Sequence, residues 1–164
     1  MSNAMNLTPI PSEREKVGMA VPPPILLIAL LALGVVVQWL WFGHFVFSML
    51  RTTIGMLVIL VSVTLFVWCT IQFREAGTPF RPISPTTTIV RSGPYRFSRN
   101  PMYVGMAGLL IGVGILLDSY FFVVVVVVFV AIVHFGVVLP EERYLESLHG
   151  DSYRAYKQSV RRWL

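Results

Sequence analysis

Two short segments concentrate the residue types able to do chemistry. The first runs Arg91-Ser-Gly-Pro-Tyr-Arg-Phe-Ser-Arg-Asn-Pro-Met-Tyr103; the second opens at Glu141-Glu142 and carries tyrosines and arginines to the end of the chain. In the first, Gly93-Pro94 marks a turn, and Asn100-Pro101 reads as the N-cap and first position of a helix, where proline's missing amide costs nothing. As a cap, the Asn100 side chain is expected to accept a hydrogen bond from the backbone near Met102 or Tyr103. A helix N-terminus beside Arg96 and Arg99 suits a carboxylate or a phosphate. The simpler role for these arginines is to hold the loop to anionic lipid headgroups. Glu141 and Glu142 follow Pro140 at the end of a long apolar run, and adjacent carboxylates at a membrane boundary are costly unless paired or functional. Their partners are either the loop arginines, in an ion-pair lock, or a cationic group of a ligand.

The elements that must position these segments are apolar. Of 164 residues, 55% are hydrophobic and 13% charged, whereas a soluble domain carries about a quarter charged. This composition excludes a secreted disulfide scaffold, a disordered tail and a Rossmann-type soluble enzyme, and the single Cys69 excludes an intramolecular disulfide. The uncharged gaps Lys16 to Arg51, Arg51 to Arg74, Arg99 to Asp118 and Asp118 to Glu141 can each hold a membrane-spanning helix. The expectation is an all-α polytopic membrane protein with about four transmembrane helices, at about 25–42, 52–73, 102–117 and 120–139. Only Asp118 and Ser119 separate the last two, so these form a tight helical hairpin in which Asp118 is expected to cap the final helix. The valine run 123–128 is expected to be helical, because a spanning segment must satisfy its backbone internally. Gly105, Gly108 and Gly112 recur on one face of the third helix and permit close helix approach.

Residues 141–164 form the tail. Tyr144, Leu145, Leu148, Tyr153, Tyr156, Val160 and Trp163 among basic residues fit an amphipathic helix pair at the interface, or a lid over a site. Residues 1–4 read as a tag-cleavage scar and 5–24 as a flexible or interfacial lead-in, leaving 25–164 as a single membrane domain. Lys and Arg number two before the first span, one between the first two, five from Arg74 to Arg99, none in the hairpin and five after Glu141. Alternate compartments thus receive twelve and one, which puts both termini and the central loop in the cytoplasm, with the loop near His44 and the turn at Asp118 outside. The net charge of +5 is accounted for by this asymmetry, without nucleic acid. His134, alone inside the fourth span, reads as a hydrogen-bonded packing residue, and no metal is assigned because no second His or Cys lies at ligand spacing.

Taken in order, the motifs resemble the integral-membrane methyltransferases that include isoprenylcysteine carboxyl methyltransferase and the phospholipid methyltransferases. The resemblance rests on Gly93-Pro94-Tyr95-Arg96, on Arg99-Asn100-Pro101-Met102-Tyr103-Val104-Gly105, on Glu141-Glu142, and on Tyr153 and Tyr156 followed by Val160 and Arg162. It covers about residues 90–163, with the hairpin between the motifs. Asn100 stands where the eukaryotic pattern has His, so the resemblance assigns no imidazole here.

The resemblance implies S-adenosylmethionine bound at the cytoplasmic face, with a lipophilic small-molecule or lipid-modified acceptor entering from the bilayer. It implies cofactor contacts at Tyr95, Arg99, Asn100, Pro101, Tyr103, Gly105, Glu141, Glu142, Tyr153, Tyr156 and Arg162, with Arg99, Asn100 and Glu142 nearest the chemistry. Arg and helix amides suit the carboxylate of that cofactor; carboxylates and π faces suit its cationic groups. A carboxylate acceptor needs no base, whereas an amine acceptor would make Glu142 the candidate base. Two other readings stand beside this one: an NADPH-dependent reductase of the sterol-reductase type, and a non-enzymatic membrane subunit in which the Arg-loop and Glu-Glu contacts are only structural.

Overall fold

The computed structural model describes residues 22–42, 48–77 and 89–164. The tag scar, most of the lead-in, the loop near His44 and the central loop 78–88 lie outside the described residues. Among the described residues all regular structure is helical: α1 (Pro23–Val37, prolonged by a π-helical turn Gln38–Phe42), α2 (Met49–Glu75), a 3-10 turn (Gly93–Arg96), α3 (Pro101–Leu116), α4 (Phe121–Val133), a π segment (His134–Val138), α5 (Leu139–His149) and α6 (Asp151–Ser159). Among the described residues three helices are long and apolar enough to cross a membrane, Pro23–Trp41, Met49–Glu75 and Phe121–His149. The third expected span, α3, has 16 residues, about 24 Å of rise against a hydrocarbon core of about 30 Å. The chain is therefore an all-α polytopic membrane protein with, among the described residues, three full-length apolar helices and one shorter one. Its outer faces agree: Ile28, Leu33, Leu60, Val61, Val123 and Val127 are all exposed, a belt suited to lipid and not to water.

The last apolar helix does not end at 139 as expected. Pro140 has no amide to donate, and just before it the Leu139 N–H reaches five residues back to His134 O. The π segment absorbs the proline, and the rod continues to His149. Glu141 and Glu142 consequently ride on a rigid helix instead of opening a separate tail.

The α3–α4 turn also differs in detail. Ser119 N–H bonds to Gly114 O and Asp118 N–H to Ile115 O, closing α3 in a Schellman motif, with Asp118 in the left-handed region at φ 51°. Asp118 ion-pairs with Arg51 from the start of α2 and caps nothing; α4 begins after Tyr120 without a side-chain cap.

The glycine stripe works as expected. α2 and α3 lie antiparallel in the most extensive helix pairing described, with Gly105 and Gly108 against Ser62 and Gly112 against Ile59. A Cβ on Gly112 would come within 2.6 Å of Ile59 Cγ1 and 3.1 Å of Gly55 O, so only glycine admits this approach. Leu110, Phe122, Phe129, Val133 and Val138 are fully buried, and Phe122 packs against both Gly34 of α1 and Gly114 of α3. One end of the α2–α3 pair thus carries Arg51 and Asp118; the other carries Gly93, whose Cα packs on Gln72, and the start of α3.

Candidate functional site

At that second end the tail folds back over the loop. Pro94 and Gly93, at φ 56°, turn the chain so that Tyr95 is buried edge-on against Phe73 of α2, with centroids 5.3 Å apart at 84°. α6 lies over this turn: Tyr156 donates its hydroxyl to Tyr95 O at 2.7 Å, and Arg91 donates to the Ser152 hydroxyl at 2.9 Å while stacking 5.5 Å over the Tyr156 ring. The segment after α6 then pairs with the loop as a short parallel bridge between Ser98 and Arg161, the Arg99 N–H donating to Arg161 O at 2.9 Å.

This bridge sets the charged centre. Glu142 descends from the long rod and receives two guanidinium groups: Arg162 Nε donates to Oε1 at 3.0 Å and Arg162 Nη2 to Oε2 at 2.9 Å, while Arg99 Nη1 lies 2.9 Å from Oε1. The side chains of Arg99 and Glu142 are each 8% exposed. The contact of Arg99 with Glu142 is close but not aligned as a hydrogen bond, and Arg99 Nε has no acceptor among the described residues. The triad carries one net positive charge beside an unspent donor, an arrangement for an anionic group.

The surrounding tyrosines are held neutral. Burial pushes Tyr153 up to about 12, the Glu142 carboxylate adds to this, and Arg99 partly offsets it through its charge and a hydrogen bond. Burial likewise takes Tyr156 up to about 12 and Tyr95 well above the usual phenol range. Arg162 is kept protonated more firmly by its bonds to Glu142.

Of the residues named from sequence, Tyr95, Arg99, Asn100, Glu142, Tyr153, Tyr156 and Arg162 come together here. Glu141 is close enough for its charge to act on Tyr95 and Tyr153. Pro101 starts α3 as expected, and Tyr103 is half-buried against the core two residues on. Gly105 instead faces Ser62 and Phe66 of α2, away from the cluster.

Asn100 occupies the N-cap position, but its side chain makes no cap bond. Its Nδ2 donates to Arg162 O at 2.9 Å, and the first-turn amides of Tyr103 and Val104 go to the Asn100 backbone oxygen. The expected helix-capping role is therefore replaced by a tail-holding one, because the tail carbonyl comes within reach of the amide. Sequence reasoning also missed Ser98, whose Oγ accepts from Asn100 N–H at 3.1 Å, and the Arg91–Ser152 staple. Neither has a sequence signal, since both depend on where the tail lands. His134 packs between Phe135 and Trp163, with Nδ1 lacking a partner among the described residues, so the hydrogen bond expected of it is not found at that nitrogen. Among the described residues no three His, Cys, Asp or Glu side chains converge as a metal site.

Comparison with known proteins identifies a family. The family described as phospholipid methyltransferase matches residues 50–152, from the first turn of α2 into α6. A protein of Haemophilus influenzae described as uncharacterized is 51% identical over 39 residues, 24% of this chain and 62% of that protein, so the chain spans less than two thirds of this relative's length. No solved structure matches.

Proposed function

The chain belongs to the phospholipid methyltransferase family, and from that premise we propose that it moves a methyl group from S-adenosylmethionine to a lipophilic acceptor at the membrane face bearing Arg99, Glu142 and Arg162. The observation that carries this reading is Arg99, a guanidinium 8% exposed at the start of α3 with its Nε unpartnered. A donor held dry and unspent in this way suits the carboxylate of an amino-acid moiety.

The residues present fit the cofactor. Arg99 and the first turn of α3 would receive its carboxylate, and Glu141 with the neutral rings of Tyr95, Tyr153 and Tyr156 would face its cationic part. When bound, the cofactor supplies an electrophilic methyl group. The chain's own work is then alignment and exclusion of water: Glu142 fixes the Arg99 guanidinium, Asn100 and Ser98 fasten the tail, and α6 closes over the loop.

A carboxylate acceptor of the isoprenylcysteine kind arrives ionised and needs no base. A phospholipid amine must lose a proton, and Glu142 can take it only once Arg162 leaves the carboxylate, because both oxygens are engaged. The charge asymmetry of the loops puts this face in the cytoplasm. The test is thermal stabilisation of the detergent-purified protein by each cofactor. Stabilisation by S-adenosylmethionine and not by NADPH is expected; stabilisation by NADPH alone would favour a reductase, and stabilisation by neither a structural subunit.

A further inference from the structure

The opposite end of the α2–α3 pair holds a cavity of about 570 Å³ whose lining includes Arg51, Ile111, Ile115, Asp118, Ser119 and Val123. The length of α3, about 24 Å, separates it from Arg99. Its floor is aliphatic and its rim is polar. Arg51 and Asp118 ion-pair at the rim through Nη1 and Oδ2, with side chains 37% and 38% exposed. Ser119 is 8% exposed, and its hydroxyl has no partner among the described residues. A buried hydroxyl left this way beside a cavity points to a group that is bound there.

We propose that this cavity is a second lipid site, taking one phospholipid with a primary-ammonium, zwitterionic headgroup and one of its acyl chains. The rim selects the headgroup. Arg51 donates to phosphate oxygens, and Asp118 with the Ser119 hydroxyl accepts from the ammonium N–H groups. Because the Arg51–Asp118 pair is neutral, a zwitterion leaves the boundary charge balanced, whereas an anionic headgroup places an uncompensated negative charge beside Asp118. A choline headgroup offers no N–H to either acceptor. The acyl chain lies along Ile111, Ile115 and Val123, and the exposed ring of Tyr120 beside the rim suits the headgroup level. The site is independent of the methyl-transfer reading.

The test is native mass spectrometry of the full chain in detergent with dioleoyl phosphatidylethanolamine, phosphatidylglycerol or phosphatidylcholine added. One phosphatidylethanolamine should be retained with an apparent Kd at least tenfold lower than for the other two lipids. Arg51→Gln and Asp118→Asn should each weaken that retention about fivefold or more. Val123→Trp, which fills the cavity from a side chain 62% exposed and leaves the ion pair intact, should do the same. Equal retention of the three lipids would reduce the site to ordinary annular lipid. Retention unchanged in both Asp118→Asn and Val123→Trp, or abolished by Arg99→Ala, would place the lipid elsewhere and overturn the proposal.

Discussion

Arg162 and Glu142, twenty residues apart, meet fork to fork, with Nε 3.0 Å from one carboxylate oxygen and Nη2 2.9 Å from the other. The contact joins the tail to the last third of the long rod, and Arg99 joins the loop to the same carboxylate. Three segments distant in sequence are thereby referred to one buried charge. Lysine cannot reproduce this planar, two-point geometry.

Arg162→Met is expected to lower stability by about 1–3 kcal/mol, since it leaves the Glu142 carboxylate with one guanidinium instead of two. Arg162 is 35% exposed, which keeps the effect below that of a fully buried pair. Arg162→Lys should recover only part of the loss. Thermal midpoints in detergent check this; equal midpoints for wild type and Arg162→Met would show the fork to be energetically idle.

Asn100→Asp should loosen the tail while sparing α3. The substitution removes the Nδ2 donor to Arg162 O and sets a negative charge against that carbonyl, at a cost of about 1–3 kcal/mol. Hydrogen exchange should rise at residues 160–164 and stay unchanged in 104–112. Unchanged exchange at residues 160–164 would contradict the tail-holding role, because aspartate caps a helix as well as asparagine does and lacks only the donor to the tail.

Where the sequence pattern was rigid, the architecture could be read from it. The uncharged gaps specify apolar helices, the glycine spacing specifies the close face of α3, and Pro101 specifies where α3 begins. Pro140 misled the reading, because a proline after a long apolar run marks a helix end by local rules, and the π segment that removes the conflict leaves no trace in composition. Asn100 misled it for a different reason: local capping competes with a tertiary partner 62 residues away, and the partner wins. The triad was half legible. Glu142 and the loop arginines announce a pairing, but that Arg162 supplies the second guanidinium depends on the Ser98–Arg161 bridge, which no residue pattern encodes.

Stability should fall as pH rises through the phenol range. Tyr153 and Tyr156 stand at about 12 in the folded chain, against about 10 when unfolded. Between these values the unfolded chain has released protons that the folded chain retains, so the stabilisation is complete below about pH 10 and lost as pH climbs towards 12. Thermal midpoints at pH 8, 10 and 11 should decline over the upper interval, and less steeply in Tyr156→Phe. A flat profile would mean that these hydroxyls are not shielded as the structure shows.

The proposed orientation follows from the twelve-to-one division of Lys and Arg. A reporter joined near Ser48 should be active only outside the cytoplasm, and one near Thr87 only inside. The reverse pattern at either position would place the Arg99–Glu142 cluster on the far face.

The most direct measurement of the central claim is transfer of radiolabelled methyl from S-adenosylmethionine into the lipid-soluble fraction by the purified chain in membrane lipid. The wild type should label a lipophilic product. Arg99→Ala, folded by circular dichroism, should bind S-adenosylmethionine at least tenfold more weakly, the loss of about 1.5–3 kcal/mol expected for a charge-assisted hydrogen bond. Absence of any labelled lipid with the wild type, or undiminished cofactor affinity and labelling in Arg99→Ala, would contradict the account.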